Sequence, residues 1–249
     1  MTSDIAAELN SIFYPKSVSI IGASNREGSF GRLFLEGFKR MGFPEIYPVN
    51  PREKELLGLE TYPTITDIPY DVDLAILLIP QSETLKIVSE CAKKGVKGII
   101  LFTAGFGEKS EEGRLIEQQI TQEAQKYGTR IIGPNTTGIF SSRARVCTLA
   151  SPLLLGGLPT DGGGVSLVAQ SGSFNDFLSI VLTRNNIKVG KAVGCGNECD
   201  LGSEDFLEYF GEDEETELIA GYLEGVKNGR RFYETVSYTH LTLPTKRIV

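Results

Sequence analysis

The chain has no tryptophan, two methionines and a single histidine, His240, in 249 residues. It has four cysteines, Cys91, Cys147, Cys195 and Cys199. Cys195 and Cys199 are close, but no second pair or internal histidine completes a zinc set, so no metal site is expected and the thiols read as reduced. No apolar run is long enough to cross a bilayer. The opening residues, Met1-Thr-Ser-Asp-Ile-Ala-Ala-Glu8, lack the basic and apolar regions of a signal peptide. A cytoplasmic location with no membrane partner is therefore expected. Basic residues are also in deficit, 25 against 32 acidic ones for a net charge of −7, which argues against nonspecific nucleic-acid binding. Eight carboxylates fall between Glu204 and Glu217 without a Lys or Arg, and they read as a solvated helix end and loop.

What is present is a regular alternation of short apolar runs and amphipathic stretches. Strands are predicted at Ser17–Ile21, Glu45–Val49, Leu74–Leu78, Gly98–Phe102 and Arg130–Ile132, with helices at Gly31–Met41, Ser82–Lys94 and Gly113–Tyr127. Continuous apolar strands are buried on both faces, so the sheet is parallel and flanked by helices, a doubly wound α/β fold. Right-handed crossovers then gather the strand-end loops on one edge. A Gly- and Pro-rich stretch, Ala150–Gly164, reads as a linker. A second series follows, with strands at Val165–Ala169, Val189–Val193 and Glu217–Tyr222, and helices from Phe174 to about Asn185 and over Ser203–Phe210. The expected organisation is a first domain over 8–140, a linker over 141–164 and a partial second domain over 165–235. The Thr-rich run Val236–Val249 is expected to break the helix entered at Gly225–Glu234, and it reads as a non-native tail.

The chemistry concentrates at strand ends. Ser17–Ile21 runs into Gly22-Ala-Ser-Asn-Arg-Glu-Gly28-Ser-Phe-Gly31 and then a helix. Strand, glycine turn and helix start are the parts that hold an anionic phosphate, because bare backbone approaches the ligand and free N–H groups face its charge. A glycine turn also serves tight strand–helix packing. The glycines do not form the dinucleotide fingerprint, and after the second strand stands Val49-Asn-Pro-Arg52, with no acid to grip an NAD ribose. Arg52 suits an adenosine ligand with an extra phosphate. Leu78-Ile-Pro80-Gln81 and Leu101-Phe-Thr103-Ala-Gly-Phe-Gly-Glu108 close the next two strands and fall on the same edge. In the second series, Gln170-Ser171-Gly172-Ser173 can cap a helix or hold a phosphoryl group at its start. Glu224 ends a strand.

This run of motifs resembles the CoA-binding domain of the succinyl-CoA synthetase α-subunit and of nucleoside-diphosphate-forming acyl-CoA synthetases. The resemblance covers about residues 8–234 and implies a Rossmann-like CoA-binding domain followed by a truncated flavodoxin-like succinyl-CoA-ligase domain. It implies that Gly22, Ser24, Asn25, Arg26 and Gly28 cradle phosphates of CoA, and that Pro51 and Arg52 lie near the adenosine and its 3′-phosphate. By the same resemblance Ile79, Pro80 and Thr103 line the nucleotide and pantetheine path, and Gly133-Pro-Asn135 lies near the thiol end. The family often has a cysteine next, where this chain has Thr136. Gln170, Ser171, Gly172 and Ser173 match its phosphate-binding turn, and Gly194–Asp200 matches its Gly-Asn-x-x-Asp loop. Glu224 matches a glutamate that contacts the family's phosphorylated histidine.

The implied activity joins a carboxylic acid to CoA at the cost of ATP, through phosphohistidine and an acyl phosphate. The histidine loop and the ATP-grasp part are absent before Glu234, so ATP, ADP and magnesium are expected only in an ATP-grasp domain or a β-subunit. The chain alone is expected to bind CoA without completing the ligase cycle. The alternatives are a non-catalytic CoA-binding regulatory module or an NADP(H)-binding redox protein, the latter without a Tyr-x-x-x-Lys pair in a suitable place.

Overall fold

All four residues of β1 (Val18–Ile21) are buried, as a strand covered by helices on both faces requires. The computed structural model describes residues 4–148, 160–242 and 247–248. In it, β1 joins β2 (Ile46–Val49), β5 (Leu74–Leu77), β6 (Gly98–Leu101) and β7 (Arg130–Ile132) in a five-stranded parallel sheet ordered β2-β1-β5-β6-β7. The hairpin of β3 (Glu55–Leu56) and β4 (Leu59–Glu60) intervenes after β2. Helices α2 (Phe30–Met41), α3 (Gln81–Lys93) and α4 (Glu111–Gln125) make the crossovers. The chain leaves β1 toward β2 and then crosses back to β5. The loops after β1 and β5 thus flank the point where winding reverses, the usual crevice of such sheets.

Local chemistry sets the helix limits. The Ser29 hydroxyl caps α2 by accepting from the Arg32 amide at 3.3 Å, and the helix stops at Gly42, whose φ of 70° favours glycine. Phe34, Leu35 and Phe38 lie buried along α2, and each contributes roughly 1.5–3 kcal/mol by leaving water.

The second sheet is mixed, ordered β13-β12-β10-β11-β8-β9. Strands β10 (Val165–Ala169), β11 (Val189–Gly194), β12 (Leu218–Tyr222) and β13 (Arg247–Ile248) run parallel. β8 (Gly138–Ser141) pairs antiparallel with β11, and β9 (Val146–Cys147) pairs with β8. These two strands come from the stretch where the sequence closes the first domain and opens the linker; residues 149–159 of that linker lie outside the described residues. Helices α5 (Gly172–Arg184), α6 (Ser203–Glu212) and α7 (Gly229–Thr242) complete the module.

The expected break near Val236 does not occur, since α7 runs on to Thr242. Its Ser and Thr residues cost only tenths of a kcal/mol each, about 0.5 or less. Packing outweighs that: Phe232 and Val236 lie against the core, and Arg231 pairs with Asp205 at 2.6 Å and Glu208 at 3.0 Å on α6.

Helix α1 (Asp4–Phe13) precedes β1 and packs on α6. The Phe13 ring stacks on Tyr209 at 5.1 Å and meets Phe206 and Phe210 edge-on at 6.5 and 5.5 Å. One apolar cluster joins these rings to Val18, Ile20 and Ile76 of the first sheet and to Val168, Val193 and Ile219 of the second. The two sheets therefore share a core. Lys191 of β11 is 1 % exposed, with Asp213 and Glu215 at 3.0 and 2.9 Å from its ammonium and the Tyr14 ring centroid at 5.1 Å. Among the described residues no helix is long and apolar enough to cross a membrane.

Candidate functional site

The crevice is built by close backbone approach. Gly22 has a φ of +91°, and a Cβ there would lie 2.4 Å from the Leu78 carbonyl oxygen. A Cβ on Gly31 would lie 2.3 Å from the Gly22 carbonyl oxygen. The first turn of α2 thus abuts the end of β1, placing the positive end of the helix at the strand edge. The loop between is braced by its own side chains. The Ser24 hydroxyl accepts from the Arg26 amide at 3.0 Å, the Ser29 hydroxyl donates to the Arg26 carbonyl at 2.7 Å, and the Arg32 guanidinium donates to the Asn25 carbonyl at 2.8 Å. Asn25, Arg26 and Gly28 remain exposed, and a Cβ on Gly28 would meet only open space.

The loops after β2, β5, β6 and β7 fall on the same edge. Pro51 and Arg52 are exposed beyond β2. Asn50, which sequence reasoning did not single out, ties them to the glycine loop. Its side-chain amide donates to the Ala23 carbonyl at 2.8 Å, while its oxygen accepts from the Arg52 amide at 2.8 Å. The second bond is an Asx turn, which Asn50-Pro-Arg52 could have signalled. Ile79 is buried and Pro80 is the exposed N-cap of α3. The Thr103 hydroxyl donates to the Ile79 carbonyl, and the Thr103 carbonyl accepts from the Asn135 amide at 2.9 Å. Ile79, Thr103 and Asn135 therefore form one line along the strand ends. Thr136 is 3 % exposed; its hydroxyl donates to the Gly194 carbonyl and accepts from the Gly138 amide. The proton and one of the two lone pairs of this hydroxyl are thus held by backbone groups.

The second sheet brings its own edge against the first. Ser171 caps α5, accepting from the Phe174 amide at 3.3 Å, and Gly172 sits where a Cβ would come within 2.6 Å of the Thr137 side chain. Ser173 is exposed in the first turn. Gln170 donates to Glu198 at 3.0 Å and to the Gly225 carbonyl at 2.7 Å, and accepts from the Glu224 and Gly225 amides at 2.6 and 3.0 Å. Its carboxamide is thus committed to protein partners. The Glu224 side chain is exposed in the loop after β12.

Between the edges lies a cavity of about 480 Å³ lined by Glu108, Glu117, Gln170, Asn197, Glu198 and Glu224, with Arg114 and Lys227 in its wall. Sequence reasoning named Gln170 and Glu224 there. Glu108 and Glu198 fall within the strand-end run and the Gly194–Asp200 loop but carry no assigned role there, and Glu117, on α4, has no local pattern to mark it. Burial pushes the Glu108 carboxyl up, but N–H bonds from Gly105 and Asn197 outweigh this and hold it below the usual range. Burial also pushes the Glu198 carboxyl up, and there it prevails over the bonds from Gln170 and the Ser203 amide. Burial pushes the Cys199 thiol up to about 12 and raises that of Cys195 as well, so neither is a ready nucleophile. A hollow of about 680 Å³ between α1 and the acidic loop after α6 is lined by none of these residues.

Comparison with known proteins gives two family matches, the CoA binding domain over residues 16–142 and the succinyl-CoA ligase like flavodoxin domain over residues 162–245. The chain is 38 % identical over 235 residues to the ADP-forming acetate–CoA ligase II of Archaeoglobus fulgidus, covering 92 % of this chain and 34 % of that one. It is 37 % identical over 230 residues to the α subunit of ADP-forming acetate–CoA ligase II of Pyrococcus furiosus, covering 91 % of this chain and 48 % of that one. Among solved structures, the dinucleotide forming acetyl-coenzyme A synthetase 1 of Ca. Korarchaeum cryptofilum, in complex with phosphate and ADP, superposes with a TM-score of 0.86 at 33 % identity. That match covers 96 % of this chain and 50 % of the other. The chain spans a third to a half of the length of these curated relatives.

Proposed function

The chain belongs to the CoA binding domain family, joined to a succinyl-CoA ligase like flavodoxin domain, and on that premise we propose that it is the CoA-holding portion of a nucleoside-diphosphate-forming acyl-CoA synthetase. Such an enzyme converts a carboxylic acid, CoA and ATP into acyl-CoA, ADP and phosphate. The observation that carries the reading is the double close approach at Gly22 and Gly31, which leaves bare backbone and a helix start at the reversal of strand order.

The residues present fit CoA chemically. The exposed run Asn25–Gly28, with Ser24, faces its diphosphate, while the Gly22 and Arg26 amides are held by the Val49 carbonyl and the Ser24 hydroxyl. Arg52, fixed by the Asn50 bridge, serves the 3′-phosphate beside Pro51. Ile79, Pro80 and Thr103 line the way to the thiol, and Asn135 stands at its end. On the second edge, the α5 start at Ser171, Gly172 and Ser173 stabilises the charge of a phosphoryl group, and Gln170 holds the adjoining loop. Glu224 meets the phosphorylated histidine supplied by the remainder of the enzyme. That remainder, an ATP-grasp domain or a separate β subunit, carries ATP and magnesium. The reading is supported by the share of each relative that the chain spans and by a relative titled as an α subunit.

Titration of the chain with CoA and with NADPH, beside an assay for turnover of ATP, acetate and CoA, tests the proposal. CoA is expected to bind at least about ten-fold more tightly than NADPH, a difference of roughly 1.4 kcal/mol, with no turnover by the chain alone. Preference for NADPH would favour the redox alternative, and turnover would refute the division of labour.

A further inference from the structure

The turn from Gly194 to Asp200 grips both strand edges at once. Toward the first module, the Asn197 and Cys199 amides donate to the Pro134 and Gly133 carbonyls, each at 2.9 Å. Asp200 accepts from the Ile131 amide at 2.8 Å and from Arg130 Nε at 3.0 Å. The Asn197 side-chain amide donates to Glu117 at 2.7 Å and also to Glu108. Those carboxylates hold the loop after Thr103 from within: Glu117 accepts from the Gly107 amide at 3.0 Å, while Glu108 accepts from Gly105 and Phe106. Toward the second module, the next residue, Glu198, accepts from Gln170, which holds the Glu224 and Gly225 amides. Glu198 adopts a φ of 54°, a conformation unfavourable for a glutamate, and the Lys227 ammonium donates to the Asn197 and Glu198 carbonyls at 2.6 and 2.8 Å.

We propose that Asn197 and Gln170 are positioning residues: their carboxamides lock the Gly105–Glu108 loop and the Glu224 loop onto the Gly194–Asp200 turn, so that the thiol end of the CoA path and the phosphoryl-holding turn move as one body. The proposal rests on the functional reading given above. Chemistry between a thiol and a group delivered from the facing edge needs a fixed separation, and small misplacements are costly. A carboxamide suits the position between Glu108 and Glu117 because it donates twice without bringing a third negative charge.

Amide hydrogen exchange on the full chain tests the device through its cross-effects. Asn197→Asp keeps the size of the side chain and loses both donated bonds. It is expected to speed exchange about ten-fold at Gly105–Gly107, the effect of losing one or two hydrogen bonds. It is also expected to speed exchange at Glu224–Gly225, which its side chain does not touch. Gln170→Leu is expected to do the reverse, loosening Glu224–Gly225 directly and Gly105–Gly107 at a distance. Gln170→Glu keeps the oxygen that accepts from the Glu224 and Gly225 amides but loses the bond to Glu198 and sets a second carboxylate against it, so it is expected to loosen Gly105–Gly107 as Gln170→Leu does. Added CoA slows both segments in the unaltered chain and only the first in Asn197→Asp. Effects confined to the segment each side chain touches would overturn the proposal; the Gln170→Leu arm decides alone if Asn197→Asp does not fold. A chain that ignores CoA yet shows the cross-effects would sink the functional reading and leave the coupling intact. CoA binding without cross-effects would do the opposite.

Discussion

At the scale of single residues, the crevice has places where one atom too many is intolerable. An alanine at Gly22 would bring its Cβ within 2.4 Å of a backbone oxygen at a φ of +91°. Neither the β5 end nor the turn can yield cheaply, so Gly22→Ala is expected to cost about 2 kcal/mol or more. It should also abolish CoA binding, as thermal unfolding and calorimetry would show. An unchanged melting temperature would mean the turn has slack that the structure does not show. Asn50→Ala removes the tie between the two loops and is expected to weaken CoA binding about five-fold, one hydrogen bond's worth, with little change in melting. The glycines and Arg52 were legible because their types carry meaning wherever they follow a strand. The Asn50 bridge was not. It exists only because β1 and β2 pair in register, Ile21 opposite Val49, which puts Asn50 beside Ala23.

At the scale of elements, β10, α5 and β11 lie within a residue or two of where periodicity places them, since each is a continuous apolar or amphipathic run with a clear turn on either side. β3, β4 and β9 are not predicted because two residues have no period to read, and β8 because Gly138-Ile-Phe-Ser141 lacks the longer continuous apolar run that marks the equally short β5 and β6. Asp4–Phe13 did carry a helical pattern, with Ala6, Leu9, Ile12 and Phe13 buried on one side. It passed unread. Helix α5 has a feature that composition could not reveal. Asp176 has a buried carboxylate oxygen without a hydrogen-bond partner, and burial pushes its carboxyl up to about 7. The folded state therefore favours the neutral acid. Its stabilising effect is present below the unfolded value, about 3.9, and is lost as pH rises through about 7. Asp176→Asn is accordingly expected to match the parent near pH 4 and to exceed it at pH 8 by on the order of 2–4 kcal/mol. Urea unfolding of both proteins across that range measures the difference. Parallel pH profiles would show that Asp176 is solvated or paired.

At the scale of the whole molecule, the two sheets behave as one unit because α1 and α6 close a common core over both. Phe13 contacts Phe206, Tyr209 and Phe210 almost two hundred residues away in sequence, a distance no local pattern spans. The Gly- and Pro-rich break suggested separable domains for the same reason. Phe13→Ala is expected to cost about 3–5 kcal/mol and to lower a single cooperative transition in calorimetry. Two resolved transitions in the unaltered chain would mean that the core is not shared. The fraction of each relative that is spanned is in keeping with the proposed holder of CoA working alongside other parts. On the proposed function, the nucleotide end of CoA lies between the Gly22 turn and Arg52. Calorimetric titration of the chain and of Arg52→Ala with CoA and with 3′-dephospho-CoA tests this most directly. The unaltered chain should prefer CoA by about ten-fold or more, the worth of one charge-assisted contact, and Arg52→Ala should bind the two ligands alike. Equal affinities in the unaltered chain, or no binding of CoA at all, would contradict the account.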